Sequence, residues 1–360
     1  NKTAKVLVEL PEEAENPSQS ESVGHVAYTV DNNIRILGTD GKTHTVTDID
    51  DPNIVSGQAI ARSEFGITQG FFWSPNGSRL AFYQKDESNV GDYPLLDNST
   101  TPGTLRNIKY PMAGQGSEKA RVGIYDLSSK KLVYFETRNG DENYLTNVSW
   151  TPDNKFILVA EVNRDQDHMW LNVYEAGSGK FVKTLLEEES DTWVEPEHPA
   201  FFPEDGSNNF VWISEKDGFN NLYYYNFEGE LIKQLTEHDF VVNNIIDYVE
   251  GRIYYQTTGQ KAIESHVYSV DLKGKVKILT RANGTHHVDI SPDAKYFHDN
   301  FSSHTLGYAN NDWILDGRGK IVTKKLEAEN KLDSYTIGKI EISTIEAKDG
   351  SKLYTRMIKP

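Results

Sequence analysis

A strand–turn–strand unit recurs along this chain and restricts its fold more than any other feature. Leu222–Thr236 and His266–Thr280 both show apolar residues alternating with period two on either side of a tight turn, which is typical of a half-buried β-hairpin. The turns fall at Gly41, Ser128–Ser129, Gly179, Gly229, Gly274 and Gly319. Their spacing is about 45 to 50 residues, except for one interval of about 88 after the first, so one unit carries a long insertion.

A second repeated element precedes most of these hairpins. It is a turn rich in Pro, Asn, Asp and Gly that leads into an apolar strand, at Trp73–Gly77, Trp150–Asn154, Phe202–Gly206 and Ile290–Ala294. Units of 40 to 50 residues with four short strands predict an all-β fold, a β-propeller of four-stranded blades. Six blades are recognisable, and Asn1–Leu10 is predicted to be the outer strand of a further one.

Two segments fall outside the repeat. Residues 86–116 are too long and too rich in Pro and Gly for a turn between strands, so we expect an arm that leaves the propeller. Residues 331–360 alternate again, as in Ile340–Ile342, and are predicted to begin another domain. The predicted organisation is therefore a propeller over 1–330, including the arm, followed by the start of a second domain.

The charge balance excludes several partners. The chain has 37 Lys and Arg residues against 54 Asp and Glu residues, a formal net charge of −17. An acidic surface repels phosphate backbones, so we expect no nucleic-acid partner. No window approaches 18 consecutive apolar residues, so we expect no membrane span in this chain. The absence of Cys excludes disulfides, thiol catalysis and cysteine-bound zinc.

No segment carries a recognisable catalytic centre. There is no G-x-S-x-G elbow for a hydrolase serine, and Gly177–Lys180 lacks the upstream Gly of a phosphate loop. Asp48, Asp50 and Asp51 lack the spacing of a calcium loop. A histidine cluster lacks HExxH spacing: His286, His287, His298 and His304. We therefore expect no catalytic residue, metal site or cofactor in this chain.

Several ordered motifs resemble the propeller domain of the dipeptidyl peptidase IV family and its bacterial relatives. They are Arg62–Gly77, Leu80–Tyr83, Asp86–Ser88, Asp92–Pro94 and Tyr110–Gly114. The resemblance implies an eight-bladed propeller of which about six blades are present. It also implies that residues 331–360 enter an α/β-hydrolase domain whose Ser, Asp and His lie outside this chain. The parent would then be a serine peptidase that cleaves after a penultimate proline, and this chain alone would be inactive.

In that family, two glutamates ahead of the Trp-Ser-Pro turn bind the free α-amine of the substrate. Glu64 matches the second glutamate, whereas Ser63 replaces the first. A carboxylate in a confined cavity pairs strongly with an ammonium and thereby measures distance from the chain end. One carboxylate instead of two leaves dipeptidyl and tripeptidyl release as open alternatives.

The resemblance also implies partners and a location. The expected ligands are peptides with a free N-terminus and a penultimate proline, and the 86–116 arm is expected to form a homodimer. The expected location is periplasmic, secreted or at the cell surface. A non-enzymatic binding propeller, lectin-like or a periplasmic scaffold, is the alternative. A G-x-S-x-G elbow encoded beyond Pro360 would distinguish the peptidase from it.

Overall fold

The computed structural model describes residues 8–138, 142–203, 206–303, 310–331, 334–336 and 338–359. Within these residues the secondary structure is almost entirely β, with one short turn of 3₁₀ hydrogen bonding at Ala61–Ser63. The chain divides into two compact units, Asn1–Phe202 with Phe227–Glu230, and Pro203–Asn226 with Leu231–Pro360. Most of the strand predicted for Asn1–Leu10 lies outside the described residues.

Among its described residues, the first unit contains three antiparallel sheets and one separate hairpin. Sheet 1 has the order β1-β2-β3-β4, formed by Glu15–Gln19, Val26–Val30, Asn33–Leu37 and Thr43–Thr45. Sheet 2 has the order β11-β10-β7-β5 with β6 also on β7; these strands are β5 Ile54–Ser56, β6 Phe71–Trp73, β7 Arg79–Asp86, β10 Lys119–Asp126 and β11 Lys131–Tyr134. The hairpin pairs β8 Asp92–Asp97 with β9 Thr104–Lys109. Sheet 3 has the order β12-β13-β14-β15, formed by Tyr144–Trp150, Phe156–Val162, His168–Glu175 and Phe181–Glu189.

The described part of the second unit also contains three antiparallel sheets and one hairpin. Sheet 4 has the order β16-β17-β18, formed by Phe210–Ser214, Asn221–Tyr225 and Leu231–Gln234. Sheet 5 has the order β19-β20-β21-β22, formed by Val242–Val249, Arg252–Thr257, His266–Asp271 and Val276–Ile278. Sheet 6 has the order β23-β24-β25-β26, formed by Thr285–Ile290, Tyr296–Ser302, Asn311–Asp316 and Ile321–Glu327. The hairpin pairs β27 Lys339–Glu346 with β28 Lys352–Lys359.

Apolar side chains of successive sheets form the cores. In the first unit, Ile34 and Ile36 of sheet 1 pack with Leu80 and Phe82 of sheet 2. Because central strands such as β7 are covered on both faces, nearly every residue of β7 is buried. Each fully buried side chain of this size stabilises the fold by about 1.5 to 3 kcal/mol. Packing between sheets therefore supplies the main cohesion of the repeat.

The predicted all-β fold, a β-propeller of four-stranded blades, is confirmed. Each predicted hairpin is present and ends its sheet, as in the pairing of β21 with β22 around Gly274. Gly274 has a φ of +85°, in the left-handed region that favours glycine. The arm is a separate two-stranded hairpin within residues 86–116. The predicted boundary between residues 330 and 331 stays a prediction.

Two sheets differ from the four-stranded pattern. Sheet 4 has three strands within the described residues, because Pro196, Pro199 and Pro203 remove backbone donors from the segment where the first strand was expected. In sheet 2, two short strands replace one, since β5 and β6 both pair with β7. The residues between β5 and β6 include Glu64.

Candidate functional site

Glu64 lies in a loop, Gly57–Gly70, that interrupts the first strand of sheet 2. The loop closes at its neck: a Cβ on Gly70 would lie 2.3 Å from the carbonyl carbon of Gly57. Tyr83 of β7 pairs with both ends, because its carbonyl accepts from Gly57 N and its N–H donates to Gly70 O. A surface loop with adjacent ends and its own internal packing is an Ω-loop, a type that is often functional. We call it the Glu64 loop.

The backbone before Glu64 forms a left-handed turn. Ala61, Arg62 and Ser63 have φ values of 51°, 52° and 67°, and Phe65 follows at 56°. Each such non-glycine residue costs about 1 to 3 kcal/mol and persists only where the surroundings enforce it. Strain of this kind concentrates at functional sites. It is the observation that most distinguishes this loop from an ordinary connection.

Buried residues hold the turn from both sides. Ile60 is 1% exposed and Phe65 is 2% exposed, whereas Arg62, Ser63 and Glu64 between them are exposed. Immediately after Phe65, a Cβ on Gly66 would lie 2.1 Å from the carbonyl oxygen of Glu197. The loop therefore presents three polar side chains on a backbone that packing fixes.

A buried charge cluster lies beneath the turn. The N–H of Ala61 donates to Glu118 Oε1 at 2.6 Å. The other oxygen of Glu118 lies 3.3 Å from Lys85 Nζ, which also pairs with Glu87 at 2.8 Å. The side chains of Lys85, Glu87 and Glu118 are only 10%, 11% and 8% exposed. Charged groups that are buried and paired in this way have few alternative positions.

The nearest partner of the Glu64 carboxylate is neutral. Gln166 Nε2 lies 3.5 Å from Glu64 Oε2. Gln166 itself occupies a left-handed position, with φ of 61°, in the turn between β13 and β14, and its carbonyl accepts from Val194 N at 2.7 Å. Within the part of the chain that the structure describes, Glu64 makes no ion pair. Its negative charge is therefore available to a cationic ligand.

Aromatic rings and two arginines border the loop. The ring of Phe65 lies 5.0 Å from that of Tyr144, and Arg164 lies over Tyr144 and donates to its hydroxyl. On the other side, the Arg62 guanidinium lies 5.1 Å from the ring of Tyr110, at the base of the arm. Both arginines are held by aromatic faces, a cation–π arrangement.

Asp86 fixes the point where β7 leaves sheet 2 for the arm. Its Oδ1 accepts from both the hydroxyl and the N–H of Ser88. These hydrogen bonds, from the hydroxyl first, hold the pKa of the Asp86 carboxyl below its ordinary value. The carboxylate therefore stays ionised and acts as a cap for the turn into the arm.

The structure also places other residues that the sequence singled out. His286 is 1% exposed and places its ring nitrogens against Asp299 and the carbonyl of Ala282. His287 is exposed, and His304 lies outside the described residues. Among the described residues, no group of three or more His, Cys, Asp or Glu side chains could hold a metal ion. Gly177–Lys180 lies in the turn between β14 and β15.

The sequence predicts Glu64 as a site residue, which stays a prediction, but it does not predict the residues that surround Glu64. Glu118 and Gln166 lie 57 positions from Ala61 and 102 from Glu64. Neither belongs to a motif that predicts the contact.

Known proteins share both the sequence and the fold of this chain. The family described as the dipeptidyl peptidase IV (DPP IV) N-terminal region matches residues 1–308. The chain belongs to this family. Among curated proteins, dipeptidyl aminopeptidase B of Saccharomyces cerevisiae is 27% identical over 322 residues, which cover 82% of this chain and 39% of the yeast protein. The predicted family is thereby confirmed.

Two solved structures resemble this DPP IV N-terminal region along almost its whole length. A protein from Bacteroides ovatus, described as a dipeptidyl aminopeptidase IV, is 33% identical with a TM-score of 0.86, over 97% of this chain and 52% of that one. Porphyromonas gingivalis dipeptidyl peptidase 4 has a TM-score of 0.87 at 22% identity, over 99% and 52%. The second likeness shows the fold alone.

The relatives are longer than this DPP IV N-terminal region. The chain spans 39% of the yeast protein and about half of each solved chain. The named relatives are dipeptidyl peptidases and therefore hydrolases. Among the residues with a described structure, no helix is long and apolar enough to cross a membrane.

Proposed function

We propose that this chain is the substrate-gating and N-terminus-anchoring propeller of a proline-specific serine aminopeptidase that releases dipeptides or tripeptides. The observation that carries the proposal is Glu64, an exposed carboxylate on a strained, packed turn that forms no ion pair with any residue the structure describes. A fixed carboxylate in a substrate cavity would bind the ammonium of a free N-terminus. The Ser, Asp and His that break the bond would belong to an α/β-hydrolase domain of the full-length protein.

Ser63 bears on which peptide is released. Its hydroxyl replaces a second carboxylate, so the site would hold the ammonium with one charge and with neutral groups such as Gln166. A weaker clamp tolerates a longer segment between the amine and the scissile bond. Tripeptide release therefore remains part of the proposal beside dipeptide release.

Two further parts of the proposal concern partner and location. The arm hairpin carries exposed apolar side chains, including Leu96 at 63% and Leu105 at 72% exposure, and we propose that it forms a homodimer. The family resemblance supports a periplasmic, secreted or cell-surface location. Fractionation of cells that produce the full-length protein tests that location, since recovery in the cytoplasm would contradict it.

The first prediction tests the amine anchor with Glu64→Gln in the full-length protein. Loss of the charge should cost on the order of 2 to 5 kcal/mol of transition-state binding, because the bound ammonium would lose a desolvated partner. We expect kcat/KM for free-amine prolyl peptides to fall by about 30-fold or more. N-acetylated substrates, which lack the ammonium, should be cleaved at nearly the unchanged rate.

Two variants control this experiment. Glu12→Gln removes an exposed carboxylate from another part of the chain and should leave both substrates unaffected. Ser63→Glu should restore a second carboxylate and raise dipeptide release relative to tripeptide release. If Glu64→Gln changes kcat/KM for free-amine substrates by less than about twofold, the anchor role is wrong. Glu64 would then be an ordinary surface acid, whereas a full-length protein that cleaves neither substrate would favour the alternative of a non-enzymatic binding propeller.

A further inference from the structure

The left-handed turn before Glu64 depends on one side chain from outside its loop. Ala61 is the first of three successive residues with positive φ. Its N–H points to Glu118 Oε1 at 2.6 Å, a short hydrogen bond to a charged acceptor. Glu118 directly precedes β10, so this contact ties the turn to the central strands of sheet 2.

The position of Glu118 is in turn fixed by a buried lysine. Lys85 on β7 lies 3.3 Å from Glu118 Oε2 and 2.8 Å from Glu87 Oε1. Two carboxylates thus share one ammonium in a site that is nine-tenths buried. The two glutamates differ in one respect. Glu118 accepts from both Lys85 and the N–H of Ala61 in the turn, whereas Glu87 contacts this cluster by accepting from Lys85. Glu87 therefore serves as a natural control for Glu118.

We infer that Glu118 is a positioning residue for the amine site: by accepting from Ala61 N–H, it holds the left-handed turn that places Glu64. The inference rests on the proposed function as far as the ligand is concerned. Its structural part stands by itself, because the turn geometry can be measured without any substrate. Without Glu118, Ala61 loses the partner that offsets its unfavourable backbone conformation.

The first experiment measures amide hydrogen exchange by mass spectrometry in this chain, comparing Glu118→Ala with Glu87→Ala. In Glu118→Ala, peptides covering residues 61–64 should exchange at least about 10-fold faster, because the turn opens locally. Glu87→Ala should leave these peptides near the unchanged rate. Equal effects of the two variants, or unchanged exchange in Glu118→Ala, would overturn the inference. If Glu118→Ala does not fold, Glu118→Gln, which keeps an oxygen acceptor of the same reach, should fold and keep the protection of residues 61–64.

A double variant tests whether Glu118 acts through the conformation of Ala61. Glycine adopts positive φ without steric cost, so Ala61→Gly should restore much of the protection that Glu118→Ala removes. A general loss of packing would not be repaired at Ala61. If the double variant exchanges as fast as Glu118→Ala alone, the route through the turn is wrong.

The second experiment measures cleavage of a free-amine prolyl substrate and its N-acetylated form by the full-length protein. Glu118→Ala should raise KM for the free-amine substrate about 5-fold or more with little change in kcat, and Ala61→Gly should reverse part of this rise. The acetylated substrate should show neither change. Loss of selectivity in Glu64→Gln but not in Glu118→Ala would overturn the positioning role alone. No effect of Glu64→Gln would overturn the proposed function, while hydrogen exchange would still decide the positioning role.

Discussion

At the scale of single residues, the candidate site is defined by backbone conformation more than by side-chain chemistry. Five residues have positive φ, Ala61, Arg62 and Ser63 before Glu64 and Phe65 and Gly66 after it, and Glu64 is exposed while Phe65 is buried. Only Gly66 has a residue type suited to positive φ. The other four are held by contacts that the surrounding structure provides.

Gly66 allows a prediction that separates conformation from close packing. Gly66→Ala adds a Cβ at φ of +69° and 2.1 Å from Glu197 O, whereas Gly41→Ala adds one at φ of +77° with nothing within 4 Å. The free energy of unfolding should fall by about 1 to 2 kcal/mol in both variants, because alanine is unfavourable at positive φ. In Gly66→Ala it should fall by a further ~1 to 3 kcal/mol, because the new Cβ overlaps with Glu197. Urea unfolding of the two variants measures the difference. Equal losses would show that the backbone at Glu197 moves away from the new Cβ without a cost in stability.

The sequence predicts a role for Glu64, which stays a prediction, but it does not predict the surroundings of this residue. The prediction rests on motifs that are contiguous in the chain, such as Phe71–Gly77 after the loop. The contacts of Ala61 with Glu118 and of Glu64 with Gln166 join distant segments. No local preference predicts a left-handed turn in Ala-Arg-Ser, because none of these residues favours it. Tertiary contacts decide that conformation.

At the scale of strands and turns, the repeat depends on a recurring aspartate. Asp126, Asp271 and Asp316 each begin the turn of a predicted hairpin and accept from backbone N–H groups two to four residues later. In all three, a backbone hydrogen bond within the turn is the main cause of a lowered carboxyl pKa. These turns were predicted because their chemistry is local.

The sequence does not predict the interruption in the first strand of sheet 2, because the interruption depends on contacts between distant residues. Tyr83 of β7 hydrogen-bonds to both Gly57 and Gly70, so the ladder closes across the neck of the Glu64 loop as though the strand were continuous. A sequence pattern shows only the apolar residues on each side. The three-stranded form of sheet 4 has a cause that is visible in the sequence, namely its prolines. The repeat pattern nevertheless predicts a fourth strand there.

Asp126 provides a prediction about acid stability. Its carboxyl also pairs with Arg79 at 3.0 Å and is 23% exposed. Asp126→Ala should destabilise the fold by about 1 to 3 kcal/mol at neutral pH, since it removes hydrogen bonds to a charged acceptor. The folded-state pKa lies below the unfolded value of 3.8. The stabilisation is therefore complete above pH ~4 and disappears as the pH falls through the folded-state pKa.

Unfolding by urea between pH 7 and pH 2.5 measures this dependence. The difference between the unchanged chain and Asp126→Ala should stay constant down to about pH 4 and shrink below it. Asp126→Asn keeps an oxygen acceptor without the charge, so it should lose less stability at neutral pH. A difference that persists undiminished at the lowest pH at which the chain folds would contradict a role for the ionised carboxyl.

At the scale of the whole chain, the net charge of −17 bears on both the proposed ligand and the proposed homodimer. A negative field attracts peptides with a free ammonium and increases their encounter rate at low salt. The same field opposes association of two copies. The arm hairpin is an exception to the acidic composition, since Asp92–Lys109 contains two acidic residues, Asp92 and Asp97, and two basic residues, Arg106 and Lys109.

The arm is therefore a surface suited to the proposed self-association. Leu96 and Leu105 are cross-strand partners in the pairing of β8 with β9, and both are highly exposed. On the opposite face of the hairpin, Tyr93 and Leu95 are each 40% exposed. A neutral, apolar hairpin can be covered by a second copy without bringing the acidic surfaces into direct contact.

The last prediction tests this dimer by light scattering. The measured mass should be about twice the 40.7 kDa of one chain. The double substitution Leu96→Asp with Leu105→Asp should reduce it to the mass of one chain. Because both side chains are exposed in one chain, the substitution should leave the unfolding midpoint nearly unchanged. Ile232→Asp, at an exposed apolar residue of β18, should leave the dimer intact. Added salt should favour the dimer, because it screens the repulsion between two acidic chains while apolar contacts persist. If the unchanged protein has the mass of one chain at all salt concentrations, the arm does not join two copies.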